Sequence, residues 1–130
     1  MGDNLAITEF SFSVDDFQDP KMYKDPEAIS VLLTRLLLLE PGLLQSHPDA
    51  GVGLYSRYAY SVEGTAAELE VDFQKQIEKY LPRFQGARVS VTEKDGMFNI
   101  AVEIDGTLYG IYYDSNRSTV VSNYAKITNL

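Results

Sequence analysis

The chain contains no cysteine. That excludes a disulfide framework, a thiolate metal site and a cysteine nucleophile, and it fits a reducing compartment. Histidine is almost absent too: His47 stands alone, in a loop before Pro48. With one loop histidine and no G-x-S-x-G elbow, the residues do not point to a nucleophilic triad. His47 and Asp49 of "SHPDAG" are too few for a metal-ligand set, so no metal or other cofactor is expected. Positive charge is scarce: 11 Lys and Arg stand against 19 Asp and Glu, a net charge of −8. Such a field repels nucleic acid and anionic membranes, so neither is an expected partner. It also keeps a lone subunit soluble before assembly. Long apolar runs are missing. "ISVLLTRLLLL" is broken by Thr34 and Arg35 and is too short to span a bilayer. "MGDNLAITEF" lacks a basic region followed by an apolar run, and Ala6 stands where myristoylation wants Ser or Thr. Asn116-Arg117-Ser118 has a glycosylation pattern, but no secretory signal accompanies it.

What is present suits a small domain with a real core: 130 residues, 45% of them apolar. Nine Tyr and six Phe are many for this length. Tyrosine has an apolar body and a polar tip, so the surplus serves interfaces as well as cores.

Periodicity divides the chain into residues 1–24, an N-terminal arm or short strand, and residues 25–130, a single domain. In the arm, Phe10, Phe12 and Val14 alternate; it either tucks onto the core or reaches a neighbour. Asp25-Pro26-Glu27 is a helix start, with Asp25 as cap and Pro26 in the first turn. Ile29, Leu32, Leu33, Leu36, Leu37 and Leu39 form a broad apolar face, with Ser30, Thr34 and Arg35 opposite. Pro41-Gly42 ends this helix. Residues 43–64 are either a functional loop or the site of a short helix, and Gly51 and Gly53 permit a tight turn rather than cradle a phosphate. Thr65 and Glu68 fit a capping box for a second helix. Its stripe is Ala66, Leu69, Phe73, Ile77 and Tyr80. Glu68, Glu70, Asp72, Lys75, Gln76 and Lys79 lie mostly on its wet side. Pro82 stops it.

After "YLPRFQG" the period changes to two. Val89 and Val91 alternate with polar residues, as do Phe98, Ile100, Val102 and Ile104. Asp95-Gly96 and Asp105-Gly106 are tight turns. "TLYGIYY" follows, then "VVSNYAKI" as a last strand or tail. The expected fold class is α+β: two main helices packed on a small antiparallel β-meander, with an N-terminal arm.

The acidic residues offer Glu40 and Asp49 as a carboxylate pair on paper, but a helix-end charge and a turn residue explain them better. The strands carry more. "MFNIAVEI" and "TLYGIYY" have few charges, so they are poorly guarded if they lie at an edge. "YGIYY" has apolar groups on both faces, which predicts that both faces are covered. Either the subunit covers its own sheet, or a partner extends it by strand addition.

Two stretches carry a resemblance: "ISVLLTRLLLLEPGLLQSHPDAGVGL" and "AAELEVDFQKQIEKYLPRFQGARVSV". They resemble the tail-baseplate wedge or sheath-initiator family of contractile phages, some of whose members are labelled lysozyme-like. Its relatives occur in type VI secretion and other contractile injection systems. The likeness spans about residues 25–113 and rests on element order and short motifs. The family's Glu-Pro-Arg motif appears here as Leu81-Pro82-Arg83, with Leu in place of Glu. It implies a baseplate-core interface at Leu81, Pro82 and Arg83. The missing Glu removes an internal partner for Arg83, a place that Glu78 could take. It also implies a sheath strand-addition edge in "TLYGIYY", at Leu108, Tyr109, Ile111, Tyr112 and Tyr113. The implied partners are the tail sheath protein, baseplate wedge proteins and the tail tube, with six copies in a ring in the virion's tail baseplate, assembled in the host cytoplasm. A structural role without catalysis is the expectation. A peptidoglycan-hydrolysing tail enzyme is the rival.

Overall fold

Two Asp-Gly pairs organise the sheet. In the computed structural model, which describes residues 25–60 and 63–126, Asp95, Gly96, Asp105 and Gly106 all have positive φ. That is the geometry of the two-residue turn whose twist matches paired strands. The turns join β1 (Arg88–Lys94) to β2 (Met97–Ile104), and β2 to β3 (Thr107–Asp114). The loop 115–118 leads into β4 (Thr119–Lys126). Each strand is antiparallel to the next, in the order β1-β2-β3-β4. Rows across the sheet run Val91–Ile100–Ile111–Ser122 and Thr92–Asn99–Tyr112–Val121.

Alternation decides which residues enter the core. Val89, Val91, Phe98, Ile100, Val102, Ile104, Tyr109, Ile111 and Tyr113 are buried against the helices. Each large side chain so buried contributes roughly 1.5–3 kcal/mol. Three helices are present among the described residues: α1 (Pro26–Leu38), α2 (Leu54–Arg57) and α3 (Thr65–Tyr80). The fold is therefore α+β, with a four-stranded antiparallel sheet. The short α2 sits in the connection that sequence left open between loop and helix. The arm, residues 1–24, lies outside the described residues.

α1 starts as its sequence dictates. Asp25 accepts a hydrogen bond from the Glu27 amide at 3.0 Å, and Pro26 opens the helix. Its far side differs from expectation. Ser30 and Thr34 are buried like the leucines, because α1 is enclosed by the sheet and by both other helices. The Thr34 hydroxyl donates to the Ser30 carbonyl at 2.8 Å, a local bond that makes a buried hydroxyl tolerable.

α3 starts differently from expectation. Gly64, in the left-handed region at φ 87°, is its cap, and no side chain caps the helix. Thr65 is the first helical residue and is buried, so the capping box is not formed. Leu69, Phe73 and Ile77 are fully buried, as the stripe predicts.

Candidate functional site

Consider first the helix-to-strand junction. α3 ends at Tyr80 and its cap is Leu81. The Phe84 amide donates to the Leu81 carbonyl, and the Ala87 amide to the Phe84 carbonyl, which coils the link into two tight turns. Leu81 is 0% exposed and belongs to the core. It cannot touch a partner, so the implied interface loses its first member. The cause is geometric: Leu81 lies four residues after Ile77 and continues the buried stripe. Pro82 and Arg83 are exposed. Arg83 borders a hollow of about 220 Å3 beside Phe84, Asp105 and Tyr109. Pro82 borders another of about 230 Å3, on the side of Glu78 and Gly86. Glu78 accepts a hydrogen bond from Gln74 Nε2 at 3.0 Å.

The strand-addition residues need a larger correction. β3 is paired on both sides, to β2 and to β4. Its backbone is therefore occupied, and Leu108, Tyr109, Ile111, Tyr112 and Tyr113 do not form an edge. Tyr109, Ile111 and Tyr113 point into the core; Leu108 and Tyr112 point to the other face, where they are 41% and 42% exposed. The subunit does not itself cover both faces of "YGIYY": Met97 and Val121 are exposed on that same outer face.

The true edges are β1 and β4, and they differ. On β1, the amides of Val89 and Val91 point away from β2. They donate to Gln74 Oε1 and Glu70 Oε1, each at 2.9 Å. On β4, the outward groups follow by alternation from that observation. If 89 and 91 face outward on β1, then 98, 100, 102 and 104 of β2 bond β3. Residues 108, 110, 112 and 114 of β3 then bond β4. The outward amides and carbonyls of β4 belong to Val120, Ser122, Tyr124 and Lys126. All of β4 but Val120 is exposed, and its only charge is Lys126, at one end. It holds no proline and its register is unbroken. Apart from Lys126, among the described residues it carries no charge, proline or bulge to guard it as a sheet edge.

The loop after α1 is built rather than loose. The Val52 and Gly53 amides donate to the Leu36 and Leu39 carbonyls, at 3.1 and 2.9 Å, and so satisfy free acceptors at the end of α1. Gln76 of α3 grips the same loop, accepting from the Gly51 amide at 2.8 Å and donating to the Asp49 carbonyl at 3.1 Å. Lys79 pairs with the Asp49 carboxylate, and His47 meets the Tyr80 ring edge-on. Glu40 accepts from the Ser56 hydroxyl. Asp49 is therefore no raised-pKa acid: the Lys79 hydrogen bond, with help from its own backbone amide and the ammonium charge, holds its carboxyl below the usual value. The same partner raises Lys79. A carboxyl lowered in the folded state stabilises above its unfolded pKa and loses that effect as pH falls through its folded pKa. Asp49→Asn should thus lower the urea midpoint slightly at neutral pH. Its curve should merge with that of the unaltered protein in acid.

Tyrosines knit the opposite side. The buried Tyr113 hydroxyl donates to the Tyr58 carbonyl at 2.8 Å, and the Tyr58 hydroxyl donates to Asp72 at 2.9 Å. Burial, then the Asp72 carboxylate, pushes the Tyr58 phenol far above its usual pKa. A cleft of about 950 Å3 lies between α3 and the β1–β2 turn. Two of its carboxylates are already engaged: Glu70 with the Val91 amide and Glu93 with the Gly96 amide. Among the described residues, no group of three or more His, Asp or Glu could hold a metal, and no helix is long and apolar enough to cross a membrane.

Sequence reasoning missed Glu70 and Gln74; it allowed strand addition at "TLYGIYY" or at the tail strand, and set its named edge residues on β3 rather than β4. Three short connections in a row were a signal for β4, since they place the third strand between its neighbours. No protein-family model matches the chain, and no curated protein matches it.

Proposed function

We propose that the chain is a structural baseplate component of a contractile tail or injection system. In this reading six copies ring the tail tube, and each sheet is extended by a strand of the first sheath ring. The observation that carries it is the open β4 edge, an unguarded row of outward amides and carbonyls at Val120, Ser122, Tyr124 and Lys126. Main-chain bonds suit a template: each is modest, they repeat along the edge, and they ask little of side-chain identity. α1 and α3 serve as the two main helices that back the sheet, and residues 1–24 serve as an arm. Arg83, exposed beside Pro82, offers a planar, permanently charged fork to the baseplate wedge proteins. The product is a virion part rather than an enzyme.

The test is a proline at an outward amide. Ser122→Pro removes an edge donor while sparing the β3–β4 ladder, so the domain should stay folded by circular dichroism. Sheath polymerisation nucleated by that variant should fail. Val121→Pro, one residue away, removes an amide that β3 uses and should disturb the sheet itself. Normal sheath growth from Ser122→Pro subunits would remove strand addition at β4 as the mechanism.

A further inference from the structure

We infer that the sheet can be extended at one edge only, because Glu70 and Gln74 of α3 occupy the β1 edge in place of a strand. The geometry resembles a neighbouring strand closely. The Gln74 side-chain amide accepts from the Val89 amide at 2.9 Å and donates to the Ala87 carbonyl at 3.0 Å. It satisfies one donor and one acceptor of the β1 edge, as a backbone amide would. Four residues further back, Glu70 accepts from the Val91 amide at 2.9 Å. The two repeats fit. Four helical residues rise about 6 Å. Two strand residues span roughly 6.8 Å. On two successive turns α3 therefore presents an acceptor to two successive outward amides, those of Val89 and Val91, running antiparallel to β1. Gln74 is held in place in turn, since its Nε2 also donates to Glu78 at 3.0 Å. Its side-chain oxygen and nitrogen are thus both committed.

β1 is otherwise open to pairing along its centre: its charges, Arg88, Glu93 and Lys94, lie at its ends, it holds no proline, and it matches β2 without a break. Without Glu70 and Gln74 the molecule would carry two bonding edges at opposite ends of one sheet. The β4 edge of one copy could then join the β1 edge of the next. Such a head-to-tail contact is heterologous, so it links copy after copy into chains, or into rings where the rotation closes. With β1 occupied, each copy accepts a single strand, at β4. The point about β4 rests on the proposed function; the occupation of β1 does not.

The double variant Glu70→Ala with Gln74→Ala keeps good helix formers on α3 and strips the β1 edge. Its Val89 and Val91 amides should exchange with deuterium roughly tenfold faster than in the unaltered protein, the loss of one modest hydrogen bond each. In sedimentation velocity it should form oligomers that grow with concentration. Adding Ser122→Pro should return it to the smaller species, and Glu70→Gln, which keeps an acceptor, should behave as the unaltered protein does. Unchanged exchange at Val89 and Val91 would overturn the inference, as would faster exchange with no association. If the double variant does not fold, the single variants decide. Glu70→Ala should expose Val91 alone and Gln74→Ala should expose Val89 alone; no site-specific change would overturn it. A failure of strand addition to β4 would leave this exchange result untouched, so the two ideas can fail separately.

Discussion

Leu81→Glu should unfold the domain, although it would complete the Glu-Pro-Arg pattern that the junction resembles. Leu81 is fully buried, one turn beyond Ile77. A carboxylate there would be desolvated with no built partner, and the apolar packing of the leucine would go as well. The expected loss is about 4–5 kcal/mol or more, comparable with the whole stability of many small domains. Leu81→Ala should cost less, roughly 2–5 kcal/mol. The pH dependence separates a buried charge from a simple cavity. Burial raises a carboxyl's pKa, so the protonated form is the one the core tolerates. The penalty of Leu81→Glu should therefore shrink in acid and grow toward neutral pH, whereas that of Leu81→Ala should not follow this course. Arg83→Ala is the contrasting variant. Its side chain is exposed, so urea unfolding should shift little, while under the proposed function attachment to baseplate wedge proteins should be lost. Unfolding by Arg83→Ala would make that arginine structural.

Gly51→Ala is the second large effect. Gly51 has φ +111°, and a Cβ there would lie 2.2 Å from the Leu39 carbonyl oxygen. Real atoms do not approach so closely, and that oxygen belongs to the backbone that receives the Gly53 amide. The loop would have to leave the end of α1, releasing the Val52 and Gly53 bonds together. A loss of roughly 3 kcal/mol or more is expected, from backbone strain and the broken hydrogen bonds. Gly42→Ala is the control for strain alone. Its φ is also positive, at +93°, but its added Cβ would meet nothing within 4 Å. It should cost only about 1–2 kcal/mol. Equal penalties for the two would show that the close approach to Leu39 does not matter.

The parts of the fold that were legible in sequence are those fixed by local chemistry. Asp25-Pro26-Glu27 starts α1, two Asp-Gly pairs turn the hairpins, and Phe98 to Ile104 alternate as a half-buried strand must. The misreadings share one cause, since each depended on what lies beside an element rather than within it. Ser30 and Thr34 look solvent-facing by period, yet α1 is enclosed on that side as well. Gly64 displaced Thr65 as cap because a left-handed residue immediately before the helix sets the chain's entry by itself. Hydrophobic alternation names the two faces of β3 but not its neighbours, so it could not tell an interior strand from an edge. Glu70 read as a wet-side residue and Gln74 was assigned to neither side, because helical period registers hydrophobicity, and a side chain that bonds a strand's amides is as polar as one that bonds water. Of the junction residues, Pro82 and Arg83 are where a surface role requires, and Leu81 is not.

The meander also sets an order in time. Every strand pairs with the next one in the chain, through connections of two, two and four residues. Loops that short close with little entropy, and topologies built from near neighbours fold fast. During synthesis the strands emerge in the order in which they pair, so the sheet can grow hairpin by hairpin. β4 is added last. The β4 edge therefore exists only after the three strands behind it are in place; until then β3 presents its own unpaired groups, at residues 108, 110, 112 and 114, which β4 covers.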